Sequence, residues 1–208
     1  MAYEYDIFLS YSSKHELSKT WIKENFIKFF VHDLDNELPY KSKIFEYSTE
    51  ISTGASWWKE TLKALSTSKC MVSIWNPEYF RSPYCKKELS HFLFRETQLK
   101  IRSIENPHGI VFPIKLHDGQ HFPNKINGIQ FLDWTEYTTI GEYFLFHSQN
   151  GCKFQDMIKL LAKQIANSLL HIPNWNSVWL ERDWLERSIT ELYTELDICN
   201  PYINQPIL

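Results

Sequence analysis

The run YDIFLS, Tyr5 to Ser10, narrows the possible folds most. It is short and mostly apolar, and it stops at a serine-rich turn. Such a run suits a strand buried on both faces of a parallel sheet, where helices cover each side. Similar runs follow at Ile44–Tyr47, at CMVSIW (Cys70–Trp75), at GIVFPI (Gly109–Ile114) and at Ile129–Asp133. Pro113 places a strand end or an edge within the fourth.

Between these runs the apolar spacing becomes helical. Leu17, Trp21, Ile22, Phe26, Phe29 and Phe30 predict a helix from Glu16 to about Val31. Trp58, Leu62 and Leu65 mark the inner face of a helix from Ala55 to about Thr67. Pro83 to about Lys100 and Phe154 to Leu170 read as two more. Asp33–Lys43, Ser48–Gly54 and Asn76–Ser82 read as loops. Strands alternating with helices imply βαβ units and a parallel five-stranded sheet with helices on both faces. Residues 1–170 are expected to form that domain and 171–208 a C-terminal helical extension, packed on the domain or on another subunit.

Ligands of such sheets bind beyond the carboxyl ends of the strands. The third of the loops leaving those ends leads into SPYCKKELSHF, Ser82–Phe92. Ser82 and Pro83 form a helix start, with serine as the cap and proline at the first helical position. A capping-box acid would then fall at residue 85, which is Cys85, so capping does not account for Glu88. Helical spacing sets Glu88 beside Cys85, Leu89 and Phe92, at the border of the apolar stripe. Two readings stay open: a rim carboxylate with its head in water, or a carboxylate held by packing at the mouth of a cleft. Lys86 and Lys87 are expected in solvent, and His91 at a polar surface or rim.

Net charge is −3 and the pI near 6.2, which gives no electrostatic case for nucleic acid or an anionic membrane. No apolar stretch is long enough to span a bilayer, and the first residues lack the pattern of a signal peptide. Cys70, Cys85, Cys152 and Cys199 have no metal-ligand spacing and read as reduced thiols of a cytoplasmic protein. Aromatic residues reach 16% of the chain, and several fall in loops where flat ligands are bound.

Several stretches together resemble the TIR (Toll/interleukin-1 receptor) domain family. They are YDIFLSYSS at Tyr5–Ser13; Phe45, Ile51 and Gly54; Trp57, Leu62 and Ala64-Leu65; and IWNPEYFRSPYCKKEL at Ile74–Leu89. The last is similar to the family block S-P-x-Y-x-x-S-x-W-C-x-x-E-L. The resemblance, over about residues 3–170, implies a flavodoxin-like α/β fold. For many bacterial and plant members it also implies cleavage of NAD+ at the nicotinamide–ribose bond. The family's catalytic glutamate lands on Glu88, and its frequent tryptophan four residues earlier is Tyr84 here. Phe8, Ser10, Tyr11, Ser12, Phe45, Trp75 and Tyr84 carry over as substrate-binding candidates. For Phe8 and Phe45 core packing is an equal alternative. Where many members have Asp two residues after the strand Phe, this chain has Tyr47.

Ordinary glycosidases need one acid for the leaving oxygen and a second carboxylate. Nicotinamide in NAD+ already carries positive charge and leaves neutral, so one anion beside the oxocarbenium-like ribose is enough. NAD+ is then a substrate, and neither a cofactor nor a metal is expected. By resemblance to standalone bacterial members, such as those of Thoeris-type antiphage systems, the product would be an ADP-ribose-derived signal read by a separate effector protein. Self-association through the BB loop, Ser48–Gly54, is also implied. The competing expectation is a non-catalytic adaptor acting through TIR–TIR contacts.

Overall fold

A computed structural model describes residues 2–14, 16–47, 56–102, 104, 109–138 and 146–198. The expected BB loop and Cys199 lie outside these residues. Five parallel strands form one sheet in the order β2-β1-β3-β4-β5. They are β1 (Tyr5–Tyr11), β2 (Ile44–Phe45), β3 (Ser68–Trp75), β4 (Val111–Lys115) and β5 (Leu132–Asp133). The central pair, β1 and β3, is buried almost end to end, as apolar runs without alternation require.

One face of the sheet carries α1 (Glu16–Trp21), a π-helical segment (Ile22–Ile27), α2 (Lys28–Glu37) and α6 (Gln149–Leu169). Trp21 joins them: its ring packs on Phe26, Phe154 and Trp134, and its Nε1 donates to the Tyr137 carbonyl at 2.6 Å. The first helical region therefore runs past Val31 to Glu37, into residues expected as loop. Phe30 and Leu34, one turn apart, are both buried and draw that extra turn onto the core.

The other face carries α3 (Trp57–Thr67), α5 (Pro83–Gln98) and α7 (Arg182–Thr190). The stretch expected as a loop after β3 instead contains a short helix, α4 (Pro77–Arg81). Asn76 caps it, its side chain accepting from the Tyr79 N–H at 2.9 Å, and Pro77 opens it. Five residues are too few to show a period in sequence. Pro113 is tolerated for a local reason. The Leu116 N–H donates to Trp75 on β3, so by alternation the Pro113 nitrogen faces the opposite side. There β5 begins only opposite Ile114.

Residues 171–198 pack back onto the domain. Tyr3 donates to the Pro173 carbonyl at 2.9 Å, and Ser66 Oγ to the Trp179 carbonyl at 2.8 Å. Trp184 packs on His91 and Phe94 of α5. His91 is fully buried, not at a rim. Its Nδ1 is hydrogen-bonded to Ser188 Oγ at 3.0 Å, and Ser188 Oγ also reaches the Leu185 carbonyl. Lys86, expected in solvent, is 7% exposed, paired with Asp197 and lying over the Tyr193 ring. Both departures follow from α7 and the turn after it (Thr194–Leu196) covering this side of α5. Among the described residues no helix is long and apolar enough to cross a membrane.

Candidate functional site

Alternation along β1 turns Phe8 and Ser10 toward α5, while Leu9 and Tyr11 face the other way. Phe8 packs on Phe92 of α5 and stacks on Phe45 of β2 at 5.2 Å. One turn before Phe92, α5 presents Glu88 to Ser10. Ser10 Oγ donates to Glu88 Oε2 at 2.6 Å and lies 2.9 Å from the Tyr79 hydroxyl of α4. Three separate elements thus meet at the carboxyl end of the central strands.

Glu88 is only 6% exposed, so the rim reading fails. Among the described residues no ion pair includes it. Burial raises its carboxyl from the ordinary 4.5 to about 8, with the Ser10 hydrogen bond pulling the other way. Its neighbours hold their protons as well. Burial pushes the Tyr79 hydroxyl and the Cys85 thiol up, and the adjacent Glu88 adds to both effects. The result is a neutral, water-poor cluster whose one readily ionised member is Glu88.

The other candidate residues divide into two groups. Phe8, Ser10, Tyr11, Ser12, Phe45 and Trp75 are each at most 3% exposed, so in this conformation they offer no open face to a ligand. Tyr11 donates to Glu46, and burial and that bond both push its hydroxyl upward. Trp75 packs on Phe80 and Phe122. Tyr84, by contrast, is 46% exposed and packs edge-on to Trp57 at 4.5 Å and beside Trp58 at 5.6 Å. Lys87 lies over the Trp58 ring, not free in solvent.

Several polar atoms at this end of the sheet are buried with no hydrogen-bond partner among the described residues: Ser12 Oγ, Ser73 Oγ and Trp75 Nε1. Ser73 pairs in register with Ser10, so both side chains share one face. Unsatisfied buried groups are uncommon and costly, and here they gather near an uncompensated carboxyl. Sequence reasoning missed Tyr79 and Glu46. The Asn76-Pro77 cap, the same device as Ser82-Pro83, was the available signal for Tyr79. Nothing in the spacing marks Glu46 as buried. Among the described residues no cluster of His, Cys, Asp and Glu is arranged to hold a metal.

A profile described as the TIR domain matches residues 7–142, about two thirds of the chain, including Ser10, Tyr79 and Glu88. The chain belongs to the TIR domain family. Two solved TIR structures are similar to it. One is the TIR domain of the Toll-related receptor TRR-2 from Hydra magnipapillata, at 19% identity and a TM-score of 0.45, covering 64% of this chain and 86% of that one. The other comprises the TIR domains of the activated Roq1 resistosome, which directly recognizes the pathogen effector XopQ. It has 18% identity and a TM-score of 0.42, covering 92% of this chain and 99% of that one. No curated protein matches the sequence. TIR domains include both NAD+-cleaving enzymes and adaptors, and they commonly self-associate.

Proposed function

We propose that this TIR domain cleaves the nicotinamide–ribose bond of NAD+, with Glu88 as the catalytic residue. The observation that carries the reading is a buried carboxyl with no ion-pair partner among the described residues, held by Ser10 at the carboxyl end of the central strands. A carboxyl in that setting costs stability and has no role as a cap or an ion pair. The unpartnered Ser12, Ser73 and Trp75 atoms at the same end support it as hydrogen-bonding groups for a bound nucleotide.

The chemistry follows from charge. NAD+ brings its positive nicotinamide ring into a site of low dielectric, and that charge favours the ionised form of Glu88. As the glycosidic bond breaks, nicotinamide departs neutral and positive charge passes to the ribose. The Glu88 carboxylate stabilises that oxocarbenium-like centre without a second acid. Tyr84, Phe8, Phe45 and Trp75 supply flat surfaces for the rings, Ser10 and Ser12 supply hydroxyls, and Tyr11, which faces the other side of the sheet, joins them only by turning. Because six of these candidates are covered, substrate entry requires the site to open. Water capture gives ADP-ribose; capture by another atom of the nucleotide gives a cyclic product.

In this reading residues 1–170 are the enzyme and 171–208 a helical extension. The protein acts in the cytoplasm, self-associates through TIR–TIR contacts including the BB loop, and takes no cofactor beyond its substrate. A separate effector senses the product, as in Thoeris-type bacterial antiphage defence. The covered state of the candidate pocket favours a second reading, a non-catalytic adaptor working through TIR–TIR contacts. Incubating the purified protein with NAD+, beside Glu88→Ala and Glu88→Gln, separates the two by chromatography and mass spectrometry. Loss of NAD+ with the wild type alone supports the enzyme. Equal consumption by all three refutes the role of Glu88. No consumption, even at concentrations that drive assembly, favours the adaptor.

A further inference from the structure

A serine hydroxyl has one proton to give. Once Glu88 is ionised it can only accept, so Ser10 commits its proton to Glu88 Oε2, 2.6 Å away. Its 2.9 Å contact with the Tyr79 hydroxyl then has one consistent polarity, with Tyr79 as the donor and Ser10 Oγ as the acceptor. The three side chains form a directed chain that runs from α4 through β1 to α5. We infer that Tyr79 is a positioning residue for Glu88, acting through Ser10 to fix the carboxylate oxygen and to favour its charged form. This deepens the reading of Glu88 as the NAD+-cleaving group and rests on it only for its kinetic consequence.

Tyr79 is suited to the task. It is fully buried and keeps its proton, so it remains a donor across the working pH range. Its backbone is set by the Asn76 cap and its ring by Phe80, so the hydroxyl has a fixed origin. A donor feeding a second donor polarises it, which strengthens the final bond to a charged acceptor. Lys14 acts on the Cys85 thiol but makes no ion pair with Glu88, and most of the other ionisable groups nearby are engaged elsewhere. Lys86 faces Asp197, Lys87 covers Trp58, and His91 is hydrogen-bonded to Ser188. On α4, Glu78 pairs with Arg81; on β1, Asp6 pairs with Lys69, and Tyr11 donates to Glu46. Cys85 is neutral. The hydroxyl chain is therefore the stabilising contact that the described residues give to a Glu88 anion.

The test is Tyr79→Phe, which keeps the ring and removes the hydroxyl. The carboxylic-acid infrared band of Glu88, assigned by its absence in Glu88→Gln, is followed against pH. One neutral hydrogen bond corresponds to about a threefold to tenfold change in the acidity constant, so the midpoint should rise by about half to one pH unit. In a Ser10→Ala background the same replacement should leave the midpoint unmoved, because the link is gone. Site-specific 3-fluorotyrosine at position 79, a stronger donor of similar size, should lower the midpoint and supplies an arm that leaves the core packed. For NAD+ cleavage, kcat/KM of Tyr79→Phe should fall about threefold to tenfold at neutral pH and recover as pH rises. An unmoved midpoint, an equal shift with and without Ser10, or a kcat/KM loss equal at every pH overturns the inference. If no protein cleaves NAD+, the function reading fails while the infrared arm still decides the chain.

Discussion

Glu88→Gln keeps the shape of the side chain and removes its proton chemistry, so it isolates what burying this carboxyl costs. In the unfolded chain Glu88 ionises near 4.5, and in the fold at about 8. Its folded value is raised, so the stabilising contribution of the neutral acid is complete below pH 4.5. That contribution is lost as pH climbs toward 8, because the unfolded chain gives up a proton that the fold retains. Each unit of separation is worth about 1.4 kcal/mol, so the loss is about 3 kcal/mol at pH 7 and about 5 kcal/mol by pH 9. Glutamine suffers no such loss and still accepts from Ser10 through its carbonyl. Relative to the wild type, the variant should therefore gain about 5 kcal/mol between pH 4 and pH 9. For a chain of this size that separates the melting temperatures by about 10–20 °C at pH 9. Urea denaturation of both proteins at pH 4, 7 and 9 measures the difference directly. Stability curves that run parallel across this range would falsify the assignment of Glu88 as an uncompensated buried acid.

His91 should show the opposite dependence. Burial and the nearby Arg95 charge hold its imidazole well below its ordinary 6.5, so stability is full above that pH and falls as acid protonates the unfolded chain. Against His91→Gln, the wild type should lose up to about 1.4 kcal/mol for each pH unit below 6.5. Equal acid sensitivity of the two proteins in urea titrations rules this out. Arg95 donates to the carbonyls of Leu65, Ser68 and Lys69 and lies 4.3 Å from the Trp179 ring centre. Arg95→Met, which keeps bulk but strands those carbonyls, should cost about 3–5 kcal/mol in urea denaturation, and a cost below about 1 kcal/mol contradicts that account.

The seam between α5 and the C-terminal segment shows where one-dimensional reading stops. The acidic segment after Pro173 is legible as a helical extension from its apolar spacing. Which surface it covers is not, because a helix face specifies burial without naming the partner. Once residues 171–198 lie on α5, His91, Lys86 and Arg95 all leave solvent, although charged side chains usually sit at a surface. Similarly, the helix ending near Val31 was extended by the single burial of Leu34, and α4 was hidden by its shortness.

What the sequence by itself determined is the part set by local chemistry. Continuous apolar runs and amphipathic spacing dictated a parallel sheet with helices on both faces. Ser82-Pro83 dictated where α5 begins, and the ordered block from Ile74 to Leu89 marked Glu88 as the residue to watch. Only the tertiary structure decided the condition of that carboxyl. Ser10 lies 78 positions from Glu88 in the chain, and Tyr79 lies 69 from Ser10. Whether Glu88 meets water, a cation or a chain of hydroxyls depends on how β1, α4 and α5 come together. Helical spacing could place it at the edge of an apolar stripe, but the energy of a charge is set by everything around it in space.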